Sequence, residues 1–170
     1  MLKRTLLTLL PALTLTFGTP AAAQDQNSTV KATHGAWEVR CAAQKPDACG
    51  MIQMGKNGEG QPVLQVTIRK TPGLKGPQDV PIDAFVEVVA PIGVLLPAGV
   101  GISIDGRDIG RGIFQVCNPQ ACLVSEPVQN DFIDQMKKGN NATMRIVNAS
   151  GQSTDISISL SGFTKAYNSL

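Results

Sequence analysis

The five residues Trp37-Glu38-Val39-Arg40-Cys41 alternate between apolar and charged side chains. A period of two is typical of a β-strand that has one face in a protein core and the other in solvent. We therefore predict that Trp37, Val39 and Cys41 face the core. An aromatic side chain beside a half-cystine is common in sandwich cores, so a packing role for Trp37 is favoured over a ligand-binding one.

The same alternation recurs along the chain and predicts an all-β protein. Clear patterns cover residues 64–68, 100–104, 143–146 and 156–160, and weaker ones cover 51–54, 85–90 and 113–117. Turn signals separate these segments at residues 56–60, 105–106 and 150–151. About eight short strands with turns between them are typical of a single β-sandwich-like domain.

One short packing helix is predicted near residues 127–138. Its apolar side chains recur at intervals of four residues: Val128, Phe132 and Met136. Pro127 suits a first helical turn, and Gly139 suits a helix stop. We expect this helix to cover one end of the sheets.

Residues 85–104 hold a single charged side chain, Glu87, and are apolar enough to resemble a membrane span. Pro91, Pro97 and three glycines would break a helix, and the many β-branched residues favour strands. We therefore predict two buried strands joined by a turn, and no transmembrane span in the mature chain. Glu87 is either a buried acid with a raised pKa or an outward-facing carboxylate, and the second interpretation is favoured.

The N-terminus has the three parts of a cleavable secretory signal peptide. Lys3 and Arg4 precede an uncharged apolar stretch at residues 6–17, and small residues follow at 21–23. We predict cleavage near Ala23, a flexible polar leader over residues 24–35 and one domain over residues 36–170. The mature protein is then expected to be periplasmic, outer-membrane-associated or secreted.

Removal of Lys3 and Arg4 leaves 13 basic and 13 acidic residues in the mature chain. A neutral protein offers no electrostatic attraction for nucleic acid or for an anionic membrane. Nucleic acid is therefore not expected as a partner.

The four cysteines, Cys41, Cys49, Cys117 and Cys122, all lie in the exported part, where thiols oxidise. We favour structural disulfides Cys41–Cys49 and Cys117–Cys122, because each pair flanks a strand–turn–strand unit. A longer-range pairing such as Cys41–Cys122 remains compatible with the sequence. Zinc and thiol-redox sites are disfavoured because neither pair has CxxC spacing.

No catalytic, cofactor-binding or metal-binding residues are predicted. His34 is the only histidine, so a Ser-His-Asp or Cys-His arrangement has no support. Asp105 and Asp108 flank a glycine turn but lack the further oxygen ligands of a calcium loop. Residues 71–81 form the longest predicted loop, which is either a contact surface or a slack crossover.

Several short elements occur in a characteristic order from Trp37 to Ala166. They are residues 37–41 (WEVRC), 49–53 (CGMIQ), 91–100 (PIGVLLPAGV), 104–106 (IDG), Phe114 with Cys117 and Cys122, and 159–166 (SLSGFTKA). In this order the chain resembles the invasion-associated locus B family of exported bacterial proteins. The resemblance implies a sandwich-like all-β fold, an envelope location, a virulence-associated role in host-cell entry and no catalytic residue.

Two hypotheses about function follow. The first is a non-catalytic envelope or binding accessory protein, linked by the resemblance to host-cell invasion, whose partner is an unidentified envelope or host-surface protein. The second is a periplasmic enzyme with an unrecognised carboxylate-based site, which would need a pocket holding two acids with separated pKa values.

Overall fold

The computed structural model describes residues 28–170, and most of these residues belong to one antiparallel sheet of eleven strands. In chain order the strands are β1 (Ser28–His34), β2 (Trp37–Ala42), β3 (Lys45–Lys56), β4 (Pro62–Lys75), β5 (Pro81–Ala90), β6 (Val100–Ile104), β7 (Arg107–Gly112), β8 (Phe114–Cys117), β9 (Cys122–Val128), β10 (Asn141–Val147) and β11 (Ser153–Ser159). Helix α1 (Asn130–Lys138) precedes β10, and helix α2 (Phe163–Asn168) follows β11. Among the described residues, no helix has the length and apolar character needed to cross a membrane.

The sheet curls until its two end strands meet. Its strand order is β7-β6-β10-β11-β3-β4-β5-β9-β8, while β1 and β2 form an extra hairpin that pairs with the first part of β3. The end strands β7 and β8 are joined by Ile113 alone. The backbone N–H of Ile113 donates to the Glu126 carboxylate at 2.8 Å. This bond holds the β7–β8 junction against β9, and we call the gap between β7 and β9 the seam.

The core lies on the inner side of the curled sheet and contains the side chains that the alternation assigned to it. In β2, Trp37, Val39 and Cys41 are buried, whereas Glu38 and Arg40 are partly exposed. The inward residues of the other predicted strands are also buried, among them Leu64, Val66, Ile68, Val100, Met144, Ile146, Ile156 and Ile158. The all-β prediction is therefore confirmed, with one continuous curled sheet as its architecture.

The helix prediction is confirmed, although α1 begins at Asn130 rather than near residue 127. Pro127 and Val128 belong to β9, where they pair with Phe85 and Ala84 of β5. The helix starts where this pairing ends, because the Asn130 backbone N–H donates to the Asp83 carboxylate at 2.8 Å. Ile133 and Met136 then face the core.

Residues 28–35 correct the prediction of a flexible leader. Residues Ser28–His34 form β1, which pairs with β2 from Ser28 opposite Ala42 to His34 opposite Trp37. Backbone hydrogen bonds to β2 hold this strand in place, and Ala32 packs against the core. A strand held in this way does not need regularly alternating apolar side chains, so the sequence pattern does not predict it. The remainder of the predicted leader and the predicted signal peptide, residues 1–23, lie outside the described residues.

Residues 71–81 correct the prediction of a long loop. Strand β4 continues to Lys75, and Leu74 pairs with Ile82 of β5. The Thr71 hydroxyl donates to the Ile82 carbonyl at 2.8 Å, so Pro72 and Gly73 disturb the ladder without ending it. Only a 3₁₀ turn at Pro77–Asp79 separates the two strands, and this segment therefore offers little irregular surface.

Candidate functional site

The four predicted cysteines form two disulfides, as favoured from the sequence. Cys41 and Cys49 join β2 to β3, with their sulfurs 2.05 Å apart. Cys117 and Cys122 join β8 to β9, with their sulfurs 1.98 Å apart. The longer-range pairing Cys41–Cys122 is therefore wrong. Each bridge links residues that face each other in a strand pair, so it cross-links two neighbouring strands.

The outer surface of β2 to β5 is concave and carries both polar and apolar side chains. A concavity of about 720 Å³ lies where β2, β3 and β11 meet, and a second of about 560 Å³ extends over β4 and β5. The two concavities share Ser28, Arg40, Ile52 and Gln65. We call them together the concave face. Ser28 of β1 places the N-terminal hairpin at its border.

The first concavity exists because the sheet forks at β3. One edge of β3 pairs with β2 as far as Ile52. Beyond that point β11 pairs with β3 only where Ser157 lies opposite Lys56. Gln53, which is 8% exposed, fills the fork with its side-chain amide. Its Nε2 donates to the Ser159 carbonyl, and its Oε1 accepts from the Ser159 N–H, both at 2.8 Å.

Trp37 closes the inner side of the same fork. Its Nε1–H donates to the Ser159 carbonyl at 2.9 Å, so this carbonyl accepts two side-chain bonds. The Trp37 ring is fully buried and meets the Phe163 ring edge to face, with the centroids 5.3 Å apart. The predicted packing role of Trp37 is therefore confirmed.

Two ion pairs cross the concave face. Arg40 contacts the Glu38 carboxylate at 2.8 Å within β2, and Arg69 of β4 contacts Glu87 of β5. Glu87 therefore faces outward beside a cation, which confirms the favoured interpretation of this residue. Because both pairs are partly exposed, we expect each to contribute little stability, about 0–1 kcal/mol.

Beside the two ion pairs, the concave face carries hydroxyl and amide groups together with the apolar side chains of Ile52 and Met54 and the cation of Lys56. Ser157 and Ser159 lie on the outer face of β11, and Gln65 donates to the Thr67 hydroxyl at 3.3 Å. These groups can donate and accept hydrogen bonds without changing charge near neutral pH. Such a surface is suited to a partner that offers hydrogen-bonding groups and some apolar area.

Among the described residues, the carboxylates with shifted pKa values bind structural partners. Asp105 accepts the backbone N–H groups of Asn140 and Asn141, at 3.0 and 2.9 Å, and these bonds lower the pKa of Asp105. A bidentate bond from Arg145 lowers the pKa of Asp155. The Asp105 bonds tie the β6–β7 turn to the start of β10, in agreement with the preference for turn chemistry over calcium.

A cluster that the sequence did not predict lies beside α1 and α2. The ammonium groups of Lys70 and Lys137 lie over the Tyr167 ring, 4.6 and 5.1 Å from its centroid. Partial burial, followed by the charge of Lys137, lowers the pKa of Lys70. Partial burial also raises the pKa of Tyr167. The three residues come from distant parts of the chain, so no local sequence motif predicts the cluster.

The comparisons with known proteins agree with this fold. The model of a family described as invasion associated locus B (IalB) protein matches residues 37–170. The crystal structure of invasion associated protein B from Bartonella henselae is similar, with a TM-score of 0.64 and 19% sequence identity. The similarity covers 83% of this chain and 95% of that one, and at this identity it shows a shared fold. No curated protein matches the chain in sequence.

Proposed function

Since the chain belongs to the invasion associated locus B family, we propose that it is an exported, non-catalytic protein that binds a component of the bacterial envelope or of a host-cell surface. Export is supported by the two disulfides, which are typical of oxidising compartments. A role in host-cell entry is the finer form of this proposal. The family description and the name of the Bartonella henselae protein support it.

The observation that carries the proposal is the concave face. Its polar side chains stand on adjacent, fully paired strands and on the fork held by Gln53 and Ser159, so their positions are set before a partner arrives. Preorganisation lowers the entropy cost of binding. The ion pairs Glu38–Arg40 and Arg69–Glu87 offset their own charges on this surface, and Met54 is exposed beside them. This combination favours a partner that offers hydrogen-bonding groups and some apolar area over one of strong single charge.

The alternative, a carboxylate-based enzyme, would need two acids with separated pKa values facing one concavity. Asp105 and Asp155, the carboxylates with shifted pKa values, are each bonded to a structural partner, and both pKa values move in the same direction. These contacts favour binding over catalysis.

Photocrosslinking tests the proposal with mature protein added to intact envelope or to host-cell surfaces. Ser157→Trp places a bulky side chain in the first concavity, and Ser153→Trp is the matched control on the same face of β11, outside that concavity. We expect Ser157→Trp to lose the crosslinked partner and Ser153→Trp to retain it, while both keep the native circular dichroism spectrum. Full crosslinking by folded Ser157→Trp would show that the contact surface lies outside the first concavity. Turnover of a substrate by the protein, abolished by one Asp or Glu change, would show that the protein is an enzyme.

A further inference from the structure

One end of the curled sheet differs in chemistry from the rest of the surface. The Cys117–Cys122 disulfide lies there, because Cys122 pairs with the last residue of β5. Three connections meet at this end: the β5–β6 loop (residues 91–99), the β8–β9 turn (118–121) and the β10–β11 turn (148–152). Helices α1 and α2 follow the opposite ends of β9 and β11. We call the end with the three connections the apolar end.

The β5–β6 loop crosses this end and is fixed in place. It connects two strands that are not neighbours in the sheet. On one side, the Leu95 N–H donates to the last residue of β10 at 2.7 Å, and the Ala149 N–H donates to the Gly93 carbonyl at 2.9 Å. On the other side, a Cβ added at Gly99 would collide with the Gly112 carbonyl, so the two backbones are in close contact. The direction of each side chain of the loop is therefore set by the fold.

The loop buries one aliphatic side chain and exposes three. Val94 packs against the core. Ile92, Leu95 and Leu96 are 58, 40 and 48% exposed. Ile113, which directly follows β7, is 66% exposed and adds to the same end. Exposed aliphatic side chains that gather on a fixed surface mark an interaction site.

The apolar end also lacks charge. Charged residues make up 16% of the chain, yet none occurs at residues 88–104, 112–125 or 146–154. The β3–β4 turn, which holds Glu59, lies at the edge of this end beside the first concavity. By contrast, α1 at the opposite end carries two acidic and two basic side chains. The two ends of the molecule therefore differ both in charge and in exposed apolar surface.

A lipid bilayer is the occupant that this chemistry favours. Stable protein interfaces are centred on aromatic or arginine side chains, whereas the large apolar side chains exposed at this end are all aliphatic. A bilayer accepts aliphatic side chains from several loops without a shaped groove, and it disfavours charge at the depth of the acyl chains. The absence of charge from all three connections matches that requirement.

We propose that the apolar end inserts into the interfacial region of a lipid bilayer, with Ile92, Leu95, Leu96 and Ile113 in contact with the acyl chains. Insertion of this kind is shallow, about 5–10 Å deep. Residues 91–99 do not line either part of the concave face, so the two surfaces are separate. The inference does not rest on the function proposed for the concave face.

Cosedimentation of the mature protein with vesicles tests the lipid chemistry. One set of vesicles contains phosphatidylcholine alone, and the other contains equal parts of phosphatidylcholine and phosphatidylglycerol. We expect partition into both sets to agree within about twofold and to change little between about 0.05 and 0.5 M salt, because no charge takes part. Absence of binding to either set, or binding only to the anionic vesicles at low salt, would overturn the proposal.

Leu96→Glu places a charge on the apolar end, and Leu74→Glu is the matched control. Leu74 is 43% exposed and lies where β4 pairs with the start of β5, at the opposite end. We expect Leu96→Glu to weaken vesicle binding by about tenfold or more and Leu74→Glu to leave it unchanged. Both should keep the native circular dichroism spectrum. Wild-type vesicle binding by folded Leu96→Glu, or an equal loss in both variants, would contradict insertion through this end.

Leu96→Trp gives a direct reading of depth that does not depend on loss of binding. Trp37 is the only other tryptophan and is fully buried, so subtraction of the wild-type spectrum isolates the new side chain. We expect its emission to shift to shorter wavelength on phosphatidylcholine vesicles and to be quenched by brominated acyl chains. Leu74→Trp should show neither effect. Vesicle-bound Leu96→Trp that brominated lipid does not quench would place the contact elsewhere.

A second copy of the chain is the competing occupant, and sedimentation equilibrium without lipid distinguishes it. We expect the wild type and Leu96→Glu to have the same mass at every concentration. A wild-type dimer that Leu96→Glu dissociates, together with no vesicle binding, would assign the apolar end to self-association and overturn the proposal.

Discussion

The side-chain amide of Gln53 is bonded to both backbone groups of Ser159, which lies 106 residues away in sequence. Both bonds are 2.8 Å long, and they replace the backbone pairing that β3 and β11 lack at the fork. An amide side chain offers one donor and one acceptor in the same geometry as a peptide group. Gln53 thus joins two parts of the sheet and also forms the bottom of the first concavity.

Gln53→Ala should lower the free energy of unfolding by about 1–3 kcal/mol, because it leaves the Ser159 N–H without its partner in a nearly buried site. Denaturant unfolding followed by circular dichroism measures the loss. Gln65→Ala is the matched control, since Gln65 lies on the concave face and bonds only the Thr67 hydroxyl. A Gln53→Ala protein as stable as Gln65→Ala would show that the fork does not depend on this amide.

Trp37 is the only tryptophan in the chain, so intrinsic fluorescence reports on the core beside Ser159. Its ring is fully buried against Phe163. We therefore expect native emission to be blue-shifted and poorly quenched by iodide. Unfolding should shift the emission to longer wavelength and expose the ring to quenching. Strong iodide quenching in the native state would contradict the packing described here.

Removal of the β8–β9 disulfide by Cys117→Ala with Cys122→Ala should lower stability by about 2 kcal/mol, because the bridge constrains a short loop of the unfolded chain. Removal of the Cys41–Cys49 bridge should cost slightly more, since its loop is longer. Chemical unfolding measures both losses. Non-reducing peptide mapping of the wild type should find these two bridges, and a free thiol at any of the four positions would contradict the structure.

Asp105 should make the protein less stable in acid. The bonds from Asn140 and Asn141 lower the pKa of its carboxyl below the usual 3.8. A lowered folded pKa means that the unfolded state binds the proton first, so the stabilisation is present above about pH 4 and is lost as pH falls through the folded pKa. Asp105→Asn should flatten this part of the stability profile. Identical acid profiles for wild type and variant would contradict it.

The sequence predicted the inward and outward faces of the strands because the side chains of a strand alternate by geometry. Val66 and Ile156 are buried for this reason, and Glu87 faces outward. The sequence did not predict strand β1 because backbone hydrogen bonds to β2 hold it. Such bonds are made by any residue type, so they produce no alternation of apolar side chains in the sequence. The extension of β4 past Pro72 was missed because turn residues there bend the ladder without ending it.

The candidate sites were less accessible to sequence reasoning. Gln53 occupies a core-facing position between Met51 and Gly55, and a polar residue at such a position is the one local signal of the fork. Its partner Ser159 is distant in sequence, so the signal could not identify the contact. The curl of the sheet, which brings β7 beside β9, is likewise set by contacts between distant segments, so no local pattern predicts it.

Gly162 tests whether β1 is an integral part of the fold. It starts α2 at φ +83°, and a Cβ added there would collide with the His34 carbonyl at the end of β1. Gly151 has a matching φ of +82° but no atom within 4 Å of such a Cβ, so Gly151→Ala measures the backbone strain alone. We expect Gly151→Ala to cost about 1–2 kcal/mol and Gly162→Ala a further 1–3 kcal/mol by denaturant unfolding. Equal losses of unfolding free energy in the two variants would mean that β1 shifts away from the added methyl group at no cost in stability. The edge of the concave face at Ser28 would then be mobile.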